Sequence, residues 1–470
     1  MRVVVGVVLI LAVAPLGAQA PVSPSTSSEP PWQAFLAAGG QDKDQAEAAM
    51  DEIAGGWRDG YAPMIVDMIR FLPLPRRLQA PDGPSSDSFN ADADGTGGGG
   101  GQPNRDMEIP GAPRQPTGAD ARRRLTRFLE KHTGQRFGDD LRKWRKWMWA
   151  LPPEPHADYA AFKAEIYARI DPTFRAFFPK GVATDIRLDE IDWGGVPVNG
   201  IPPLRLPRTI PAAEATWLRD NHIIFGVVVN GEARAYPKRI LAWHEMAIDR
   251  LGGVDLTVVY CTLCGTVIPY ESTVAGRTLS FGTSGLLYRS NKLMFDQETG
   301  SLWSSLEGVP VVGPLVGSGA QLTFHSAVTT TWADWKREHP GTTVLSLETG
   351  FDRDYSEGAA YRDYFGTDRI MFEVPVADTR LKNKAEVLVL RPDVLGAGAK
   401  PVAIAVDRLK RQPVFAFTSA GRSFLVETTK GGANRVFEQS PSGERLRSVP
   451  AHRAFWFGWV AQHPDTELHR

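Results

Sequence analysis

Residues 222–270 read HIIFGVVVNGEARAYPKRILAWHEMAIDRLGGVDLTVVYCTLCGTVIPY, and the fold class turns on this stretch. HIIFGVVV (222–229) is a continuous apolar run of strand length, which predicts a buried strand. Asn230-Gly231 is a hairpin turn signal, and EARAY (232–236) is the returning strand. Pro237 suits the first turn of a helix, so a short helix is expected over KRILAWHEMAI (238–248), stopped by Gly252-Gly253. DLTVVY (255–260) is a further strand that runs directly into Cys261. Strands, turns and short helices in this order predict a mainly antiparallel, β-rich mixed domain over residues 185–470, and with the helical region before it an α+β chain.

A fainter echo of this stretch lies near the end. AEVLVLRP (385–392), KPVAIAVDRLKRQ (400–412) and PVFAFTSAGRSFLVE (413–427) repeat the order strand, turn, short helix, strand. The echo has no counterpart of His244, Cys261 or Cys264. It reads as an internal duplication, the alternative being two unrelated β-rich segments.

Upstream the pattern is different. MRVVVGVVLILAVAPLGAQA (1–20) has a basic Arg2, an apolar run from Val3 to Val13 and an Ala18-Gln19-Ala20 cleavage pattern, so a signal peptide is expected. That predicts an exported chain, periplasmic or extracellular. Pro21 is a poor residue just after a cut, which leaves an uncleaved anchor as the alternative. No later segment reaches the roughly 18 apolar residues of a membrane span. Residues 21–31 are a Pro/Ser-rich spacer, and residues 32–78 carry helical periodicity. Residues 79–119 include DADGTGGGGGQP and read as a disordered Gly/Pro-rich linker. Helical periodicity returns over 120–184, with Asp120, Asp139 or Asp140, and Asp158 as candidate caps and Gly134 as a stop.

Composition narrows the function classes. With 53 Lys+Arg against 54 Asp+Glu the net charge is -1, which argues against a nucleic-acid binder working by bulk positive charge. Two cysteines among 470 residues exclude a disulfide-rich scaffold and any self-contained four-cysteine zinc or iron–sulfur site. G-x-S-x-G, the Walker loop, H-E-x-x-H and C-x-x-C-H motifs are all absent from the sequence.

The two cysteines form C-x-x-C-G, Cys261 to Gly265. A glycine straight after C-x-x-C suits a metal knuckle, whose turn needs a residue free to take positive φ. A thioredoxin-type motif would instead open a helix, and TVIPY (266–270) reads as a strand. Any further ligands must come from histidine, methionine or carboxylate. His244 shares a face of the expected 238–248 helix with Ile240 and Ile248, and that face is expected to pack on the sheet carrying Cys261. Glu245 points a quarter-turn away, and Met294 lies in a turn-rich segment. Cys261, Cys264, His244 and Met294 would make a soft donor set suited to copper. Bland readings stand beside this one. The cysteines could be a disulfide staple or buried thiols, His244 and Met294 core residues, and Asp296 with Thr299 and Gly300 turn chemistry. Trp303, Trp332, Trp335, Trp456 and Trp459 are expected in the core.

RAYPKRILAWHE (234–245), YCTLCGT (260–266), FGTSGLLYRSNKLMFDQETGSLW (281–303), TWADWKREHP (331–340), TGFDRDY (349–355) and AFWFGWVAQHPDTE (454–467), in this order, resemble the exported proteins grouped as domain of unknown function 3179. The resemblance covers about residues 200–467. It implies no reaction. It does single out His244-Glu245, Cys261 and Cys264, and the segment through Ser284, Gly285, Met294 and Asp296. Thr262 stands where that family usually has proline, and Gln462 where it usually has an aromatic residue. Separately, LTRFLEKHTGQRFGDDLRKWRKWMW (125–149) loosely resembles one unit of HEAT-type helical repeats, with 32–78 as a second, the alternative being a plain helical bundle. The expected function is a copper-binding or redox protein using the C-x-x-C-G knuckle; the alternatives are a metal-free thiol–disulfide protein and an interaction module whose helical part holds a protein or redox partner and whose C-x-x-C is a staple.

Overall fold

The computed structural model describes residues 29–72 and 118–470. The expected signal peptide, most of the spacer and nearly all of the expected linker lie outside these residues. Gly118 and Ala119, placed in the linker by composition, instead open a helix.

The N-terminal part holds helices α1 (Trp32–Ala38), α2 (Lys43–Gly55), α3 (Ala62–Arg70), α4 (Gly118–Thr133), α5 (Leu141–Ala150) and α6 (Tyr159–Tyr167). Asp140 caps α5 by accepting from the amides of Arg142 and Lys143. Asp120 lies inside the first turn of α4 and does not cap it, and Asp158 stands at the start of α6 with no capping bond, its carboxylate taken by Lys180. Gly134 follows α4 at φ 73°, a stop that a left-handed glycine provides. These helices do not form a separate core. Phe35, Ile65, Leu125, Trp144 and Phe162 pack in one cluster with Ile191, Leu286, Leu302 and Val312 of the β-rich part. A buried charge group pins the same junction. Asp192 takes Arg145 at 2.6 Å and 2.7 Å and Arg70 at 2.7 Å. Among the described residues no helix is long and apolar enough to cross a membrane.

Strand β1 (Ile191–Trp193) begins the β-rich part, and the decisive stretch folds nearly as its pattern requires. β2 (Ile223–Val229) and β3 (Glu232–Pro237) form a hairpin whose turn residues, Asn230 and Gly231, both take positive φ. Helix α7 (Lys238–His244) is shorter than expected. Glu245 adopts φ 55° and ends it, and Met246–Leu251 is a strand, β4, so Ile248 shares no helix face with His244. Gly252-Gly253 is then the turn into β5 (Val254–Cys261), which pairs with β6 (Thr266–Glu271). A second sheet follows, ordered β1, β7 (Phe281–Tyr288), β8 (Asn291–Asp296), β9 (Leu302–Ser304) and β10 (Pro310–Val312), and it carries the contacts to the helices. Met294 is thus in a strand, not in a turn. The unit closes with β11 (Ala327–Thr331), α8 (Trp332–Glu338) and β12 (Thr343–Leu345).

The echo is a second copy of this unit. β13 (Glu386–Leu390) and β14 (Val402–Ala405) pair antiparallel and lead into helix α9 (Val406–Arg411). A meander follows: β15 (Val414–Ser419), β16 (Arg422–Thr428), β17 (Asn434–Gln439) and β18 (Arg445–Val449). β19 (His452–Phe455), α10 (Trp456–Gln462) and β20 (Glu467–His469) close it. In the first copy β11 lies antiparallel to β2 and β12 parallel to β3. In the second, β19 lies antiparallel to β13 and β20 parallel to β14. The match extends to single bonds. Trp332 N donates to His222 O at 2.8 Å, and Trp456 N to Ala385 O at 2.9 Å. Trp335 Nε1 and Trp459 Nε1 each donate at 2.9 Å to a threonine, Thr342 and Thr466. Trp303, Trp332, Trp335, Trp456 and Trp459 are all fully buried.

The copies interlock by exchange. The β5–β6 loop of the first packs on α10 of the second, where Phe455 N donates to Cys264 O at 2.7 Å. The β16–β17 loop of the second packs on α8 of the first, where Thr331 N donates to Gly431 O at 3.2 Å.

Candidate functional site

The β5–β6 hairpin positions the dithiol. Cys261 is the last residue of β5, opposite Thr266, and Cys264 lies in the connecting loop. Gly265 takes φ 64°, the left-handed conformation expected after the second cysteine, and a Cβ there would lie 3.0 Å from the Phe455 ring. Both sulfurs are free thiols and both residues are buried, Cys261 2% and Cys264 0% exposed. Gly458 makes room for them, since a Cβ on it would stand 3.0 Å from Cys264 Sγ.

The two sulfurs lie within hydrogen-bonding reach of one another, in unequal surroundings. Arg289 and Ser290, at φ 49° and 63°, form the two-residue turn between β7 and β8. This turn presents Ser290 O to Cys264 Sγ at 3.0 Å. Behind it, the Lys292 backbone amide faces Cys261. Burial pushes the Cys261 thiol up, but the Cys264 thiol, the Lys292 amide and the Lys292 ammonium together hold it below the ordinary thiol value, against Glu245. Burial pushes Cys264 well above that value, and a charge on Cys261 adds to the rise.

Glu245 and Lys292 form a buried ion pair next to the dithiol. Lys292 Nζ lies 2.8 Å from Glu245 Oε2 and donates to Glu245 O at 3.1 Å. Thr262 Oγ1 and Tyr361 Oη both donate to Glu245 Oε1 at 2.8 Å. Burial pushes the Tyr361 phenol far above its ordinary value, and Glu245 adds to this. Tyr364 Oη donates to Leu263 O at 2.7 Å and so holds the loop. The left-handed turn at Glu245 aims its carboxylate at the loop, whereas a continued helix would have carried it a quarter-turn away.

The expected metal set is not brought together. His244 is fully buried with both ring nitrogens engaged: Nδ1 with Pro202 O at 2.9 Å and Nε2 with Tyr355 Oη at 2.5 Å. The carbonyl accepts only a proton, so Nδ1 carries it and Nε2 accepts from the tyrosine. Burial lowers this imidazole to about 4. Met294 packs with Met246, Val259 and Trp303, in a cluster other than the one that holds the cysteines. Ser284 bridges an irregularity in β7, donating to Leu293 O at 2.6 Å and accepting from Leu286 N. Asp296 is turn chemistry, accepting from Thr299 N at 2.6 Å, Thr299 Oγ1 at 2.8 Å and Trp303 Nε1 at 2.8 Å. Among the described residues no group of three or more His, Cys, Asp or Glu side chains could hold a metal ion. Of the residues singled out from sequence, Cys261, Cys264 and Glu245 meet, while His244, Met294, Ser284 and Asp296 serve the scaffold. Lys292, Thr262 and Tyr361 complete the group; the sequence marked Thr262 only as a departure from the family pattern and did not point to Lys292 or Tyr361. Lys292 sits inside the SNKLMFD segment, where a lysine directly before the apolar run Leu293-Met294-Phe295 was the available signal.

A duplicated unit with a buried, asymmetric dithiol in its first copy defines an α+β protein with a thiol site enclosed by both copies. The chain belongs to the family described as protein of unknown function (DUF3179), whose model matches residues 198–466. No curated protein and no solved structure matches it.

Proposed function

We propose that this chain is an exported thiol–disulfide redox protein. Cys261 and Cys264 cycle between dithiol and disulfide, with Cys261 the attacking sulfur and Cys264 the resolving thiol. Closing the pair forms one S–S bond and passes two electrons, with both thiol protons, to an oxidant. The unequal surroundings of the two sulfurs carry this reading. Cys261 faces an amide and an ammonium, and Cys264 faces a carbonyl that accepts its proton. Thiol alkylation under denaturing conditions, read by mass spectrometry before and after a mild reductant, tests it. The wild type should show both a fully reduced form and a form lacking two hydrogens, interconverted by reductant and oxidant. A pair that stays closed against reductant would support the staple reading instead.

A copper reading retains one supporting observation. Two adjacent sulfurs with a cation behind them suit a soft monovalent ion. It now rests on Cys261 and Cys264 alone. Metal analysis of the reduced protein beside Cys261→Ser decides it: equal copper in both ends that reading.

A further inference from the structure

We infer that the oxidant of this dithiol is a small hydroperoxide and not a disulfide presented by another protein. The inference rests on the dithiol reading above and adds the substrate class.

Access is the first ground. Exchange with a protein disulfide needs a second disulfide to approach the attacking sulfur in line, and thus an exposed sulfur. Here neither cysteine is exposed beyond 2%. The loop is covered from three sides: by Phe455 and Gly458 of the second copy, by Tyr364 on Leu263 O, and by the Arg289-Ser290 turn on Cys264. The reacting end of a hydroperoxide is two oxygen atoms, a guest of the size of the waters that protein interiors hold.

Unmet hydrogen bonding is the second ground. Ser290, 1% exposed, and Asn291, 3% exposed, flank Cys264. Ser290 Oγ has no hydrogen-bond partner, and the Asn291 side chain has only the Cys264 sulfur to bond to on its nitrogen. Buried groups of this sort normally find a partner. A small oxygen-bearing guest beside the sulfurs would supply one.

The residues around the dithiol supply every group the reaction needs. The Cys261 thiolate attacks the terminal oxygen of the hydroperoxide, forming an S–O bond as the O–O bond breaks. The departing alkoxide or hydroxide takes a proton from the Lys292–Glu245–Tyr361 group, leaving an alcohol or water and Cys261 as sulfenic acid. Cys264 sulfur then attacks Cys261 sulfur. The S–O bond breaks, and the hydroxide leaves as water with the Cys264 proton. The two thiols lose two electrons, and the peroxide gains them.

The test uses the reduced full-length chain, with hydrogen peroxide, oxidised glutathione and a protein bearing an exposed disulfide, each at the same concentration. Disulfide formation is followed by acid quench, alkylation and mass spectrometry. Hydrogen peroxide should close the pair at least about tenfold faster than either disulfide. Cys264→Ser should stop at a sulfenic acid on Cys261 that dimedone traps, and Cys261→Ser should give no adduct on Cys264. If either disulfide oxidant matches hydrogen peroxide, the hydroperoxide inference is overturned while the dithiol reading stands. If no oxidant closes the pair in the folded wild type, the dithiol reading itself fails. The oxidant comparison needs no variant, so a variant that does not fold cannot blur it.

Discussion

The two copies of the repeated unit solve one packing problem in opposite ways. In each, a hairpin loop from one copy meets the first turn of the closing helix of the other, and the same backbone bond joins them. In the first copy the loop supplies the bulk, Cys264, and the facing helix position is Gly458. In the second the helix supplies the bulk, Asp334, and the facing loop position is Gly431. A Cβ on Gly431 would come within 2.4 Å of Asp334 Cβ, and one on Gly458 within 3.0 Å of Cys264 Sγ. Each contact has room for one side chain. Asp334 ties its contact with hydrogen bonds from Gly431 N at 2.9 Å and from Thr429 Oγ1. The scaffold therefore closes without a thiol in one copy, so closure of this contact does not by itself require the cysteines of the other.

The largest expected effect comes from forcing the second solution onto the first contact. Gly458→Asp forces a buried carboxylate against Cys264, where a Cβ alone already stands 3.0 Å from the sulfur, and should cost about 3 kcal/mol or more in urea unfolding. Adding Cys264→Gly should recover most of that loss. No recovery would mean the two contacts are not equivalent. Next is the ion pair that only the first copy owns. Lys292→Met leaves Glu245 buried and unpaired, at a cost of about 3 kcal/mol. The double variant with Glu245→Gln should be more stable than Lys292→Met alone, and denaturant midpoints check this.

Acid should strike both copies. His244 in the first and His452 in the second are buried imidazoles lowered from 6.5 to about 4. Between these values the unfolded chain takes up protons that the folded chain refuses. Stability thus falls as pH drops from 6.5 toward 4, by up to about 3 kcal/mol for each histidine. His244→Gln should make that slope clearly shallower. An unchanged slope would place the acid lability elsewhere.

The pattern of residues 222–261 was legible because local rules decide it. An apolar run, an Asn-Gly turn and a proline at a helix start each have a short-range cause. The end of α7 was not legible. Glutamate has no preference for φ 55°, and Met246-Ala247-Ile248 continues a helical apolar pattern as readily as it starts a strand. That single turn exchanged the roles of two neighbours, sending Glu245 to the sulfurs and His244 to Pro202. Lys292 and Tyr361 reach the site through sheet pairing and chain return, contacts that no local period encodes. The exchange between copies did leave a trace in the sequence. Trp332, Trp335, His339, Pro340 and Thr342 recur at the same spacing as Trp456, Trp459, His463, Pro464 and Thr466, a firmer sign of duplication than the strand order.

The smallest effect is expected from undoing the second solution. Asp334→Ala removes the acceptor for Gly431 N and Thr429 Oγ1 but leaves a gap that their loop can fill or that water can enter. The cost should be about 1.5–2 kcal/mol, the lower part of the range for hydrogen bonds to a charged group. Burial raises the Asp334 carboxyl, yet bonds from Thr429, Arg337 and Gly431 hold it below its ordinary value, so its stabilisation is present at neutral pH and is lost as pH falls through the folded value. Measured at pH 7 and again in acid well below that value, the difference between wild type and Asp334→Ala should shrink. A loss as large as that of Gly458→Asp would mean that the aspartate knot carries the interlock and that the dithiol contact rests on it. A small loss keeps the two contacts independent and leaves the thiol copy as the one under chemical constraint.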